Sequence, residues 1–303
     1  MYLYFFSSII FSKPTTYTYK LPISDTSYQL QQNETISLSV FHSYKPMKSK
    51  KIPPILFRIT PFELDSMPIE IKKVLLNSIF INKNYTQVHV SDEEGYAFIN
   101  QYFPKCISIY KKIIPGAFKS DILRLCLLYY YGGIYNDNGH SYVKAFDSFI
   151  QPDEELVLVN DVNWLISSGY HNAFMACYPR HPIILHMIYR VMYNITNSNY
   201  GICALDVTGP KAVARAFNNF FGKNDEERLS LGKHILSRNN KTYSVFILHL
   251  KVNFTDTQKR VITDKNKQVL IKCKCKGYND LFYKNRKKIR WETLWIYGLI
   301  YHN

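Results

Sequence analysis

An aspartate and an arginine three residues apart, Asp121 and Arg124, stand inside a run that is otherwise apolar: Ile122, Leu123, Leu125, Cys126, Leu127 and Leu128. At helical spacing the two share one face. A helix greasy on its other sides is buried. A carboxylate and a guanidinium there are either paired with each other or held for a polar ligand. Gly132-Gly133 then stops the helix by permitting positive φ. Ile134-Tyr135 opens a short strand, and Asp137 falls at or just past its C-terminal end. Open α/β sheets collect ligands at the carboxyl ends of their strands. Asp137 is therefore a candidate ligand-binding acid, with an Asx-type turn cap as the alternative. For Asp121 and Arg124 the alternative is an ion pair that ties the helix to the core.

The elements that must position these residues follow from periodicity. Strands are expected at 55–59, 86–90, 155–160, 171–177, 243–250 and 268–273. Helical spacing covers 68–79 and 182–195. Ser91-Asp92-Glu93-Glu94 starts a helix with acids in its first turn. Pro115 precedes the Asp121 helix, and Gly209-Pro210 precedes one over 211–221. Trp291 and Trp295 lie four apart on one face of a C-terminal helix; packing is the plain reading and a lid the alternative. Strands alternating with helices argue for an α/β sheet. Residues 1–50 read as a partly ordered leader. Residues 51–303 read as one domain, with a C-terminal extension from about 240 and no internal repeat.

The segment 117–140 resembles glycosyltransferase family 32, the DXD sugar-transferase group that includes fungal mannosyltransferases. It is also similar to the sugar-binding core of the large clostridial glucosylating toxins. The family pattern is a small residue, S/A-D-x-x-R, an apolar run, G-G-x-Y and D-x-D. Ala117, Ser120, Asp121, Arg124, Gly132, Gly133, Tyr135 and Asp137 match it. Ile52-Pro53-Pro54-Ile55-Leu56-Phe57-Arg58-Ile59 resembles the entry strand. His171-Asn172-Ala173-Phe174-Met175-Ala176, followed by Arg180-His181-Pro182, resembles a later N-A-F stretch. Asp206-Val207-Thr208-Gly209-Pro210 resembles the T-G-P turn. Four matches in order are far more specific than a lone D-x-D. Two positions depart. The second acid of D-x-D is Gly139, and the I-H-x-I-W of the entry strand has Phe57 and Thr60 instead.

The resemblance implies a GT-A arrangement, a Rossmann-type mixed sheet flanked by helices. It implies transfer of a hexose from a UDP- or GDP-linked sugar to a glycan, lipid or protein acceptor, with retention. Such transfer needs positive charge on the diphosphate, hydrogen bonds on the sugar ring and exclusion of water. By resemblance, Asp121 and Arg124 grip sugar hydroxyls, as acceptor and as planar donor fork. Tyr135 lies near the ribose. Asp137 serves the diphosphate and a metal, Mn²⁺ or Mg²⁺, which suit oxygen ligands. Asn138 or His140 is a candidate second ligand, with a turn role as the alternative. Asn172, Asp206 and Thr208 are candidates for the site wall or acceptor side. No nucleophile or general base is assignable, and in retaining transferases of this kind the departing phosphate assists the acceptor. Gly139 motivates a second reading: a catalytically inactive relative that binds a nucleotide sugar or glycan.

The formal net charge is +15, from 38 basic and 23 acidic residues. A basic surface favours anionic partners, so an anionic membrane surface is a candidate partner. The cations concentrate over 45–51 and 272–290 without any nucleic-acid-binding signature, so no nucleic acid is expected. A third reading, a basic binder of membranes or nucleic acid, rests on charge alone. Aromatic residues make up 16% of the chain, which reads as compositional bias. Six cysteines form no C-x-x-C pair, and Cys273-x-Cys275 is not a zinc spacing by itself. Sequons at Asn33, Asn84, Asn194, Asn240 and Asn253 arise easily by chance in an asparagine-rich chain. The apolar tract 1–11 is far short of the roughly 20 residues that span a bilayer, and it makes a poor signal peptide. Location stays open between a secretory-pathway membrane surface and the cytoplasm.

Overall fold

The computed structural model describes residues 35–38, 51–62, 66–163, 167–252, 260–275, 277–284 and 288–302. The tract 1–11, most of the leader, Asn33, Asn253, Lys276, Arg286 and Lys287 lie outside the described residues.

Among the described residues, twelve strands form one mixed sheet. They are β1 (Thr35–Ser37), β2 (Ile55–Ile59), β3 (Thr86–Val90), β4 (Gly133–Asn136), β5 (Ser141–Tyr142) and β6 (Leu156–Asn163). They continue with β7 (Ser167–Tyr170), β8 (Phe174–Cys177), β9 (Gly232–Arg238), β10 (Lys241–Val252), β11 (Arg260–Thr263) and β12 (Val269–Cys273). The helices are α1 (Ile69–Ile81), α2 (Asp92–Tyr102), α3 (Ile107–Lys112), α4 (Gly116–Tyr131), α5 (Pro182–Thr196), α6 (Pro210–Phe221) and α7 (Trp291–Ile296). The strand order is β1-β3-β2-β4-β8-β6-β10-β11-β12-β5, with β7 on β6 and β9 on β10. The β1-β3-β2-β4 half is parallel. β8 runs antiparallel to both β4 and β6, and β10 is parallel to β6. The expected α/β class, a mixed sheet flanked by helices, is what the chain forms.

Successive residues of a strand face opposite sides of a sheet, and here both sides are apolar. Ile55, Phe57, Tyr135, Leu156, Leu158, Met175 and Cys177 enter the core shared with α4, α5 and α6. Their neighbours Leu56, Ile134, Val157, Val159, Phe174 and Ala176 enter a second core with β5, β10 and β12. Strands buried on both faces read as continuous apolar runs rather than alternations, which is why 55–59 and 155–160 are legible.

Local signals set the helix ends. Ser91 and Glu94 form a full capping box on α2, which satisfies two orphan N–H groups. α4 stops at Gly132 (φ 68°), and Gly133 follows at φ 91°. A Cβ on Gly133 would stand 2.7 Å from the Ile55 carbonyl oxygen. The glycine pair thus ends the helix and lets β4 lie against β2.

The structure differs from the periodicity reading in several places. The strand expected over 171–177 starts only at Phe174; His171 to Ala173 form a turn that crosses the end of β4. β7, β9 and β11 carry no clear apolar alternation, because their partners and not their sequences place them. β10 lies inside the sheet between β6 and β11. β5 follows β4 after one short turn, yet it pairs with β12 at the far end of the strand order. The sheet therefore curls back on itself. Asn77 of α1 fixes the returned edge, accepting from the Tyr142 N–H at 2.6 Å and donating to its carbonyl at 3.2 Å.

Trp291 packs on Phe118, and Trp295 Nε1 donates to the Tyr200 carbonyl at 2.7 Å. Trp291 thus packs α7 onto α4, and Trp295 ties it to the segment after α5. Asn194 is 1% exposed and donates to the carbonyls of Asp206 and Val207, so its sequon is closed to a glycan in the folded chain. Among the described residues no helix is long and apolar enough to cross a membrane.

Candidate active site

α4 carries Asp121 and Arg124 to the carboxyl end of β4. Arg124 Nη2 pairs with Asp121 Oδ1 at 3.1 Å. The same guanidinium donates through Nε to the Ser120 carbonyl and through Nη1 to the Asn172 carbonyl at 2.7 Å. It lies over the Tyr135 ring, 4.4 Å from the centroid, a cation–π contact that suits Arg. Nη1 also stands 3.5 Å from Asp137 Oδ1. Asp121 accepts from Asn172 Nδ2 at 2.8 Å on Oδ1 and from Thr208 Oγ1 at 2.7 Å on Oδ2. Tyr135 donates to Asp137 Oδ1 at 2.8 Å.

Asp121, Arg124, Tyr135, Asp137, Asn172 and Thr208 thus share one network. Asp206 does not join it. Its Oδ2 accepts from Arg215 Nη1 at 2.9 Å and from the Ile202 N–H. Burial raises the Asp121 carboxyl above its ordinary value, against the pull of Arg124. Burial alone would lower Arg124, but Tyr135, Asp121 and Asp137 together raise it. Arg124 is therefore a fixed charge, and the network keeps its donors aimed.

The turn after β4 is pinned from three sides. Asp137 N–H donates to the Ala173 carbonyl at 3.0 Å. Asn138 Nδ2 donates to the Ile59 carbonyl at 2.6 Å. His140 Nδ1 stands 2.7 Å from Asn136 Oδ1. Beside this turn lies a cavity of about 50 Å³, lined by Asp137, Gly139, His140, His171, Ala173, Arg260, Cys273, Lys274 and Tyr278. Asp121 and Arg124 stand behind Asp137 and do not line it. Sequence reading missed Arg260, Cys273, Lys274 and Tyr278. They arrive through the curl of the sheet, and no local pattern marks them.

The site tests the expected metal directly. Asp137 offers one carboxylate, whose Oδ1 already accepts from Tyr135. Gly139 offers none. A Cβ there would meet the Tyr278 ring at 2.7 Å and Lys274 Cα at 3.0 Å. Tyr278 in turn stacks on Phe282 at 4.4 Å, and Phe282 meets Phe62 edge-on. A second acid has no room unless that stack moves. The residues do not fit a two-carboxylate clamp for Mn²⁺ or Mg²⁺.

Residues 70–157 match the family model described as a glycosyltransferase sugar-binding region containing the DXD motif. The chain is 25% identical over 173 residues to one mannosyl phosphorylinositol ceramide synthase of Saccharomyces cerevisiae, covering 55% of this chain and 43% of that protein. It is 24% identical over 146 residues to a second such synthase from the same yeast, covering 46% and 35%. The chain therefore spans less than half the length of these curated relatives. Among solved structures it is similar to the PaToxG glycosyltransferase, with TM-score 0.41, 18% identity, and coverage of 56% of this chain and 69% of that one. It is also similar to the UDP-bound glycosyltransferase domain of the YGT toxin, with TM-score 0.25, 13% identity, and coverage of 52% and 44%. The segment that builds α1 through the start of β6 is therefore the part of the chain that matches the DXD sugar-binding region, with Gly139 where the second acid of that motif would stand.

Proposed function

We propose that the chain transfers a hexose from a nucleotide sugar, UDP- or GDP-linked, to a glycan, lipid or protein acceptor, with retention of configuration. The observation that carries this reading is the buried network of Asp121, Arg124, Asn172 and Thr208 behind Asp137. A carboxylate offers about four acceptor sites, and Asp121 uses three, so a sugar hydroxyl has a place to donate. Arg124 and Tyr135 hold Asp137 at the mouth of the cavity. Arg260 and Lys274 line the same cavity and supply positive charge for a diphosphate. Asp206 acts as a positioning residue for the loop before α6 and not as an acceptor contact. The retained configuration follows the family resemblance.

Among acceptors, a lipid bearing phosphate is favoured. The curated relatives are named as mannosyl phosphorylinositol ceramide synthases, and a chain of net charge +15 suits an anionic headgroup or membrane surface. Mn²⁺ or Mg²⁺ enters this reading only as an ion with the single carboxylate Asp137 as its ligand, and no step is assigned to it.

Gly139 favours the second reading, a relative that binds donor without turnover. One experiment separates the two. Full-length protein is titrated with UDP- and GDP-hexoses by calorimetry, and nucleotide release is assayed with phosphoinositol lipids present, for wild type and Asp137→Ala. Release that falls on the order of 100-fold or more in Asp137→Ala, the scale of one lost electrostatic contact in a site, supports transfer. Donor binding with no release across acceptors supports the inactive reading. No donor binding by folded protein rejects both.

A further inference from the structure

We propose that the cavity beside Asp137 is a binding site for a borderline transition-metal ion of the Zn²⁺ class, held by His140, His171 and Cys273. The donor atoms of these three residues all lie within 4.8 Å of one another. They come from the turn after β4, the turn before β8 and the end of β12. The β5–β12 register pairs Ile271 with Tyr142 and Lys272 with Ser141. Continued by one residue, it sets Cys273 opposite His140.

Each imidazole is already oriented as a ligand. His140 Nδ1 is taken up by Asn136 Oδ1 at 2.7 Å, which leaves Nε2 for a ligand. His171 Nδ1 faces Asp161 Oδ2 at 3.8 Å, and its Nε2 is buried with no hydrogen-bond partner. Metal-bound histidines regularly turn their other nitrogen to a carboxylate or an amide in this way. An orphaned buried nitrogen costs free energy unless something occupies it. The cavity, about 50 Å³, has room for an ion and a water.

The donor chemistry selects the ion. Two imidazoles and a thiolate suit Zn²⁺ or Co²⁺ and not Mn²⁺ or Mg²⁺. With bond lengths of 2.0–2.3 Å, tetrahedral donors stand roughly 3.3–3.8 Å apart, so side-chain rotations of about an ångström complete the set. Three protein ligands leave a fourth position open. Asp137 and Asp161 offset the positive charge of Arg260 and Lys274 around Cys273. Without an ion the buried Cys273 is a neutral thiol. Binding therefore forms the metal–sulfur bond as the S–H proton leaves to solvent, one proton per ion. This site rests on its own three donors and not on glycosyl transfer.

The test uses full-length protein stripped with a chelator and dialysed against Zn²⁺, Co²⁺ or Mn²⁺ alone, with metal counted by elemental analysis. The expected result is one Zn²⁺ per chain, one proton released, and a near-ultraviolet thiolate-to-metal band with Co²⁺. Cys273→Ser should abolish the band, and His171→Ala should weaken Zn²⁺ binding 10-fold or more. Cys203→Ser, outside the cavity, should change neither, and circular dichroism confirms that each variant is folded. No retained Zn²⁺ at micromolar concentration, a band that survives Cys273→Ser, or Mn²⁺ bound in preference to Zn²⁺ would overturn the proposal. Nucleotide release is measured separately, so an absence of turnover leaves the metal count readable.

Discussion

Two polar clusters lie side by side at the carboxyl end of β4, and they are built on opposite principles. In the cluster behind Asp137, each nitrogen of Arg124 has a partner, and both oxygens of Asp121 accept hydrogen bonds. In the cavity in front, His171 Nε2 has none, and three donors converge on a space with no protein group in it. The first cluster is held in shape by its own members, with one acceptor position of Asp121 left over. The second turns its donors toward the cavity and leaves one of them without a protein partner. A buried network that is fully satisfied rigidifies a site, whereas an unsatisfied group beside it marks where something else belongs.

The comparison breaks most severely at Arg124. Arg124→Ala leaves Asp121 as an unpaired buried charge, and chemical denaturation should show a loss of about 3–5 kcal/mol. The double variant Asp121→Leu/Arg124→Met removes the unpaired charge and should recover part of that stability, the remainder being held back by the buried Asn172 and Thr208 groups left without partners, while donor binding stays lost. Recovery of donor binding in the double variant would remove both residues from the site. Next in size, Thr208→Val takes one hydrogen bond from a charged acceptor and should cost about 1.5–3 kcal/mol. An unchanged denaturation midpoint would mean that Asp121 does not depend on Thr208.

On the cavity side, Gly139→Asp should destabilise by about 1–3 kcal/mol through overpacking against Tyr278. Gly139→Asp combined with Tyr278→Ala should fare better than the sum of the two single changes. Strict additivity would show that the two positions do not collide.

A further effect concerns pH and lies outside both clusters. Burial holds the imidazoles of His89 and His181 down at about 3, against an ordinary 6.5. Between these values the unfolded chain binds protons that the folded chain refuses. The stability from each is present above about 6.5 and is lost as pH falls toward 3, at about 1.4 kcal/mol per pH unit. His89→Gln should flatten the acid limb of a stability–pH curve by that slope. An unchanged limb would show that His89 titrates normally in the fold.

The first cluster was legible in the sequence because α4 and β4 place most of it within one contiguous stretch. Asp121 and Arg124 declare themselves as charges in an apolar helix, and the glycine pair fixes where Asp137 emerges. Asn172 and Thr208 were reachable only through the family resemblance. The second cluster was not legible as a unit. His140 reads as a turn residue, His171 as a strand residue, and Cys273 as half of a poor spacing with Cys275. What joins them is the curl that returns β12 and β5 to the end of β4, and that depends on pairing between segments more than 100 residues apart. Asp206 shows the converse: a residue placed by resemblance on the site wall which the fold gives to Arg215.

The contact between Gly139 and Tyr278 bears on the history open to this chain. Placing an aspartate at 139 is opposed by a ring on a distant segment, and that ring is itself held in an aromatic stack. The order of changes then matters. Loss of the ring first would open a path back to a two-acid motif, while the acid first would meet a penalty before any benefit. The two positions act as a ratchet, and a library that varies 139 and 278 together would find combinations that a scan of single positions never reaches.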